Sequence, residues 1–223
     1  MDIVTKLPIG GLNLLSPDAG WWAYWNPADE DTISHVLGDV SAIDDQTGNG
    51  HHLSFSADLP VTGVRVIGGY NVLDVANTQS SIASPRLVQP STTFLVLIKD
   101  IAGSARMLYS PYGGVYLDVQ TNAALTISGV GTGGVAAPAY GSAFVLTVSL
   151  DASHTRSFIQ VNQTRNTPNA ATGDFGGNVQ IGSATGIDRL DGAFAFGGVF
   201  ARAMSDAEIS QYVVALQTRF GIA

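Results

Sequence analysis

A chain of 223 residues, 45% hydrophobic and only 13% charged, has the material for one sizeable core, and all-β sandwiches of this length are commonly single domains. Its formal charge of −8, with no basic cluster to offset it, argues against nucleic acid or anionic membrane as the main partner. The absence of cysteine removes disulfides and thiolate metal sites, and 26 glycines and 9 prolines spread along the chain suit short strands and tight turns.

The N-terminal stretch from Met1 to Gly10 begins acidic and is interrupted by Lys6 and Pro8, so it does not read as a secretory signal. No apolar run approaches the ~18 residues of a membrane span. From a start at Met1 the expectation is synthesis and folding in a cytoplasm. Residues 1–20 read as an arm lying on its own domain or on a neighbour, and residues 21–223 as the domain itself.

Trp21-Trp22-Ala23-Tyr24-Trp25 is the densest aromatic cluster. A strand here puts Trp21 and Trp25 on one face and Trp22 and Tyr24 on the other. Rings on a β surface can stack on the C–H face of a sugar, which makes Trp21, Trp22, Tyr24 and Trp25 the candidate ligand-binding residues. General burial trends favour packing in a core or against a subunit instead.

The loop Asn26–Thr32 carries three carboxylates, Asp29, Glu30 and Asp31, and resembles a calcium site in composition only. In Ala42–Leu53, Gly48 and Gly50 permit positive φ, and the carboxylates of Asp44 and Asp45 can accept from backbone N–H groups of the turn. His51 and His52 are adjacent, so in a strand they point apart, and His35 and His154 are isolated. No metal site is assigned. Calcium, held by Asp29–Asp31, Asp44–Asp45 or Asp188–Asp191, is the cofactor weighed against the commoner reading of solvated turn carboxylates.

From Val61 onward, short strands follow one another at Val64–Ile67, Tyr70–Val75, Ser81–Ala83 and Thr93–Lys99, then at Arg106–Tyr109, Val115–Gln120, Leu125–Ser128, Ala143–Leu150 and Ser157–Asn162. Thr93–Ile98 is continuously apolar, as in a strand buried on both faces. Gly129–Pro138 reads as a flexible surface connection. In Leu190–Met204, Phe194, Phe196 and Phe200 share one parity and the small residues the other, which predicts a strand with a bulky and a small face. Ser205 and Glu208 then form a capping box, Met204 and Ile209 a hydrophobic staple, and Ile209, Tyr212, Val213, Leu216 and Phe220 one apolar helix face. Arg219 suits the helix dipole and Gly221 the stop.

Several motifs in order carry a resemblance. The Asp44–Leu53 loop, the strand Thr93–Ile98, Val145–Asn162, Val179-Gln-Ile-Gly-Ser183 and the ending Asp191-Gly192, Arg202-Ala-Met-Ser-Asp-Ala-Glu-Ile209 and Phe220-Gly-Ile222 are similar to those of LamG-like, concanavalin A-like jelly-roll domains. Met204 stands where that ending usually has leucine. Phe196 stands where many relatives have glutamate, so no role of that carboxylate is inherited. The resemblance implies an all-β, two-sheet antiparallel jelly roll with a short C-terminal amphipathic helix.

Domains of this kind occur in bacteriophage virion proteins. The expectation is therefore a non-enzymatic virion structural protein, a head decoration or a tail or fibre component. It would be located in the virion, homo-oligomeric, in contact with other virion proteins, and able to bind a host-surface glycan. The alternative is a bacterial carbohydrate-binding or adhesion module, with calcium as its optional ion. Catalysis is not expected. The glutamates are Glu30, in a loop, and Glu208, in a cap. The paired-carboxylate strand of jelly-roll glucanases and the Gly-x-Ser-x-Gly elbow are both missing.

Overall fold

The computed structural model describes residues 13–57, 59–82, 90–100, 105–109, 116–120, 124–128, 135–136, 138–151, 157–166 and 190–223. In chain order the first strands are β1 (Ala23–Trp25), β2 (Ile33–Val36), β3 (Asp39–Ile43), β4 (Leu53–Ala57), β5 (Val61–Ile67) and β6 (Tyr70–Ile82). There follow β7 (Ser91–Lys99), β8 (Ala105–Tyr109), β9 (Tyr116–Gln120), β10 (Ala124–Ser128) and β11 (Val135–Ala136). The chain closes with β12 (Ala143–Leu150), β13 (Phe158–Val161), β14 (Thr164–Asn166), β15 (Leu190–Phe200) and α1 (Asp206–Phe220).

β6 joins two layers. Its first part pairs with β5 and β15, and Gln79–Ile82 pairs with β4. The sheet therefore runs β14-β13-β12-β7-β15-β6-β4-β3-β2, with β1 added beside β15 and β5 beside β6; β8 to β11 form a second, four-stranded antiparallel sheet. Val40, Ile43, Leu53 and Phe55 pack in one apolar cluster with Leu95, Leu97, Phe144, Leu146 and Phe194, so the β4-β3-β2 leg folds back over the central strands. Val135 of the four-stranded sheet joins the same cluster.

The opposite face of the central strands meets the helix. Phe94, Val96, Ile98, Val145, Phe196 and Phe200 pack there against Ile209, Tyr212, Val213, Leu216 and Phe220. Thus Phe94–Ile98 alternates between two cores, which is why its sequence is apolar at every position. The architecture is an all-β, two-sheet antiparallel sandwich with one C-terminal helix. Leu14, Leu15 and Ala19 pack on the helix-side cluster, so residues 13–20 of the arm lie on their own domain.

The last strand departs from its expected pattern. Phe194 pairs with Leu97 and Phe196 with Val96, so Ala195 is the extra residue of a β-bulge. The bulge reverses parity within the strand. Phe194 points into the sheet–sheet core, whereas Phe196 and Phe200 point toward the helix. The bulky and small faces predicted from alternation are therefore divided between the two cores.

The helix matches its sequence pattern. Ser205 accepts from the Glu208 N–H, and the Glu208 carboxylate accepts from the Ser205 N–H at 2.8 Å. Met204 and Ile209 are both buried. Gly221 adopts φ 63° at the stop, and the Ile222 N–H reaches the Gln217 carbonyl at 2.9 Å.

Strands also form outside the predicted runs. β2, β3 and β4 lie within 33–57, short and largely polar on their outer sides. Val135–Ala136, inside the predicted loop 129–138, pairs with Ala124 and Leu125. Val179–Ser183, His154 and Asp188 lie outside the described residues.

Candidate functional site

The aromatic cluster is assembled from three distant stretches. β1 pairs with β15 so that Tyr24 lies opposite Gly198 and Trp25 opposite Gly197. A Cβ at Gly197 would stand 2.8 Å from Trp25 Cε3, and one at Gly198 would stand 2.7 Å from Trp21 Cε3. The glycines are the space that the indoles occupy. Trp21 also stacks on Phe200 at 4.2 Å between ring centroids.

The Asp44–Leu53 loop clamps this arrangement from the other side. Trp25 Nε1 donates to the His51 carbonyl at 2.7 Å, and Asn49 Nδ2 donates to the Trp22 carbonyl at 3.0 Å. Buried Asp45 accepts from the backbone N–H groups of Tyr24, Thr47 and His51 and from Thr47 Oγ1. Gly48 and Gly50 supply the positive φ, 81° and 77°, that turns the loop around that carboxylate.

The four candidate aromatics are thus separated by the fold. Trp21 lies before the strand, so it shares the helix-side cluster with Tyr24, while Trp25 enters the sheet–sheet cluster. The expected pairing of Trp21 with Trp25 on one face does not form. With 3%, 1% and 0% of their surfaces exposed, Trp21, Tyr24 and Trp25 are core residues rather than a stacking platform. Trp22 is half-buried and lies flat against the His51 ring at 3.7 Å.

Tyr24 nevertheless reaches a different site with its hydroxyl. A cleft of about 530 Å³ opens between residues 13–17, the Asn26–Asp31 loop, Tyr70 at the start of β6 and the last turn of α1. Tyr24 Oη at its base donates to the Leu15 carbonyl at 2.7 Å and lies 3.4 Å from Arg219 Nη1. Arg219 Nη2 donates to Asn26 Oδ1 at 3.1 Å, and its guanidinium lies 4.8 Å from the centre of the Tyr70 ring. Arg219 Nε is buried without a partner among the described residues.

Two carboxylates of the acidic wall accept hydrogen bonds from neighbouring side chains. A 3-10 turn, Glu30–Thr32, presents Glu30 and Asp31 outward. Gln46 Nε2 donates to Asp29 Oδ2 at 3.3 Å, and Thr62 Oγ1 donates to Glu30 Oε1 at 3.2 Å. Burial pushes the Tyr24 phenol above its ordinary pKa, against the pull of Arg219, so it stays neutral and able to donate. The lining therefore alternates planar donors with carboxylate acceptors beside an aromatic ring.

Among the described residues the carboxylates considered for calcium do not converge, and Asp188 lies outside them. Among the described residues no group of three or more His, Asp or Glu side chains is placed to hold a metal ion. Asp44 lies 3.0 Å from His52 Nδ1, while Asp45 is spent on the turn. Asp191 accepts through its carbonyl from the Asp100 N–H.

No family model matches the chain, and no curated protein matches it. Solved structures match in fold. Domain 4 of AbnA, a GH43 extracellular arabinanase from Geobacillus stearothermophilus in complex with arabinotriose, superposes with a TM-score of 0.61 at 11% identity, over 86% of this chain and 98% of that domain. The fold is a jelly-roll β-sandwich.

A Trypanosoma rangeli sialidase in complex with sialic acid gives a TM-score of 0.58 at 14% identity, over 91% of this chain. This chain spans only 34% of that sialidase's length. The binding domain of Paraclostridial Mosquitocidal Protein 1 gives 0.60 at 7% identity, over 93% of this chain and 56% of that one.

Arg219, Asn26, Gln46 and Tyr70 were not among the candidate site residues. Arg219 satisfied a helix-dipole rule and so looked explained. One signal was present: its own helix offers no carboxylate at the preceding i−3 and i−4 positions, Leu216 and Ala215. An arginine with no acid in helical reach is free to take partners outside its helix.

Proposed function

We propose that the chain is a non-enzymatic saccharide-binding module that holds its ligand in the cleft between Tyr70, Arg219 and the Asn26–Asp31 loop. The observation that carries this reading is the chemistry of the lining. Sugar hydroxyls both donate and accept, and the cleft sets Arg219, Asn26 and Gln46 beside Asp29, Glu30 and Asp31. Tyr70 adds a ring on which an apolar pyranose or furanose face can rest. The arabinotriose-bound neighbour of the same fold supports the class of ligand, although its identity with this chain is low. Binding in this reading needs no metal ion, so exchanging calcium for EDTA should leave affinity unchanged.

The setting we propose is the surface of a phage particle. There the module would be a head decoration or a tail or fibre component, held to other virion proteins and to its own copies while presenting the cleft to host glycans. That setting rests on the sequence resemblance to LamG-like virion domains. Mass spectrometry of purified particles tests it directly, and finding the protein confined to cell lysate would remove it.

The site itself is tested on an immobilised saccharide panel. Tyr70→Ala and Arg219→Met should abolish retention while the variants melt cooperatively. Retention unaffected by both changes but lost in Trp22→Ala would move the site to the Trp22–His51 stack.

A further inference from the structure

Resting on the saccharide reading, we infer that the cleft selects neutral saccharides and rejects those carrying carboxylate or sulfate groups. The decisive residue is Arg219, because an arginine in a cleft would ordinarily suggest the opposite. Recognition of a carboxylate by arginine uses two parallel N–H groups presented as a fork. Here the side-on fork through Nε is closed, and each terminal nitrogen already makes one contact. Nη2 is held by Asn26 Oδ1 at 3.1 Å, Nη1 lies against Tyr24 Oη at 3.4 Å, and Nε is shut away from solvent.

What Arg219 has left is one N–H on each terminal nitrogen, each suited to one hydroxyl oxygen. Its flat face is covered by Tyr70. The guanidinium therefore serves as a fixed scaffold for its two remaining donors, with the side-on clamp through Nε closed.

The charge around it acts in the same direction. Among the described residues Asp29, Glu30 and Asp31 line the cleft with Arg219 as the cation, so three carboxylates there stand against one guanidinium. Glu30 and Asp31 are exposed, and neither meets a salt-bridge partner among the described residues. An anionic sugar would bring its charge within a Debye length of both, about 8 Å at physiological salt. The chain's net charge of −8 extends the repulsion to the approach path. Hydroxyls meet no such penalty, because each carboxylate oxygen accepts from them.

The test titrates the full chain calorimetrically with two sets of soluble oligosaccharides at low and high sodium chloride. One set is neutral, cut from arabinan, galactan, mannan and β-glucan. The other is acidic, cut from polygalacturonate, alginate and a sulfated glycosaminoglycan. The expected result is neutral binding insensitive to salt, with acidic ligands at least about tenfold weaker at low salt, as like-charge placement predicts. The double change Glu30→Gln with Asp31→Asn should narrow the ratio between the two sets.

Acidic ligands binding as well as neutral ones, with salt weakening them, would overturn the inference and leave the saccharide reading standing. A neutral-to-acidic ratio unmoved by the double change would also overturn it, since the carboxylates would then not be the cause. Silence on both sets would overturn the saccharide reading itself.

Discussion

Trp25 closes β1 and Tyr70 opens β6, and the two rings have opposite fates. Trp25 is fully buried, its indole N–H fixed on the His51 carbonyl and its ring seated over Gly197. Tyr70 is half-buried, with the Arg219 guanidinium over one face and the Phe220 ring at its edge. The difference lies in what stands opposite each ring. A glycine in a paired strand admits an indole and seals it into the core. The gap between a loop and a helix end leaves a tyrosine facing solvent. Aromatic density along the sequence therefore marks the core of this protein, and the ring at its candidate site comes from elsewhere.

Changing one ring in each region should separate their roles. Trp25→Ala removes a fully buried indole and should cost about 3–5 kcal/mol in urea unfolding, while the molecules that stay folded keep their saccharide affinity. Tyr70→Ala should do the reverse, losing binding with a stability change below about 1 kcal/mol. Affinity lost in Trp25→Ala well inside its folded baseline would break the contrast.

Gly198→Ala tests the seat rather than the ring. Its Cβ would collide with the six-membered ring of Trp21, which cannot retreat because Phe94, Phe196, Phe200 and Tyr212 surround it. Overpacking of this kind should cost about 1–3 kcal/mol, or roughly 2–4 °C of melting temperature per kcal/mol in a chain of this size. Gly198→Ala melting with the parent protein would mean that the glycine is not required by the indole.

How far these regions could be read in advance depends on the range of the interaction that defines them. The helix was legible residue by residue, because capping, staple and apolar face are set within a few positions of Ser205. The strand Thr93–Ile98 declared its double burial through an unbroken apolar run. The bulge at Ala195 was hidden, since Phe194-Ala195-Phe196 reads as unbroken alternation and only the pairing with β7 shows the extra residue.

β2 to β4 were hidden for a related reason. They are short, and their outward residues are mostly polar apart from Val36, so no period stands out over the turn signals around them. The cleft was the least legible feature. Asn26 and Arg219 lie 193 positions apart and meet because α1 docks beside the arm. No local pattern encodes that.

Smaller effects probe the helix that brings Arg219 to the cleft. Ser205→Ala removes the cap on the Glu208 N–H and should cost about 1 kcal/mol. Ser205 begins the helix and Arg219 lies in its last turn, with Ile209, Tyr212, Val213 and Leu216 buried between them. Saccharide affinity should therefore stay within about twofold of the parent, a change below 0.5 kcal/mol. A larger loss would show that the cleft depends on the helix start as well as on its docked middle.

Acid should weaken the fold in two steps. The His51 imidazole has its pKa lowered, first by burial, with partial opposition from Asp45 and a further push from His52. The unfolded chain therefore takes up a proton near the ordinary histidine value, about 6.5, before the native state does. By linkage, stability falls as pH drops through that range and levels off below the native pKa. Glu208 is held down to about 2, first by the Arg202 guanidinium and then by the N–H and hydroxyl of Ser205. Its native form stays ionised where the unfolded form protonates, so a second decline runs from about 4.5 toward about 2. Melting temperatures measured from pH 7.5 to 2.5 should show both declines. His51→Gln should remove the upper one, and Glu208→Gln, which can still form the capping box, should flatten the lower. An upper decline that persists in His51→Gln would assign it to another group and separate the Trp22–His51 stack from the acid response.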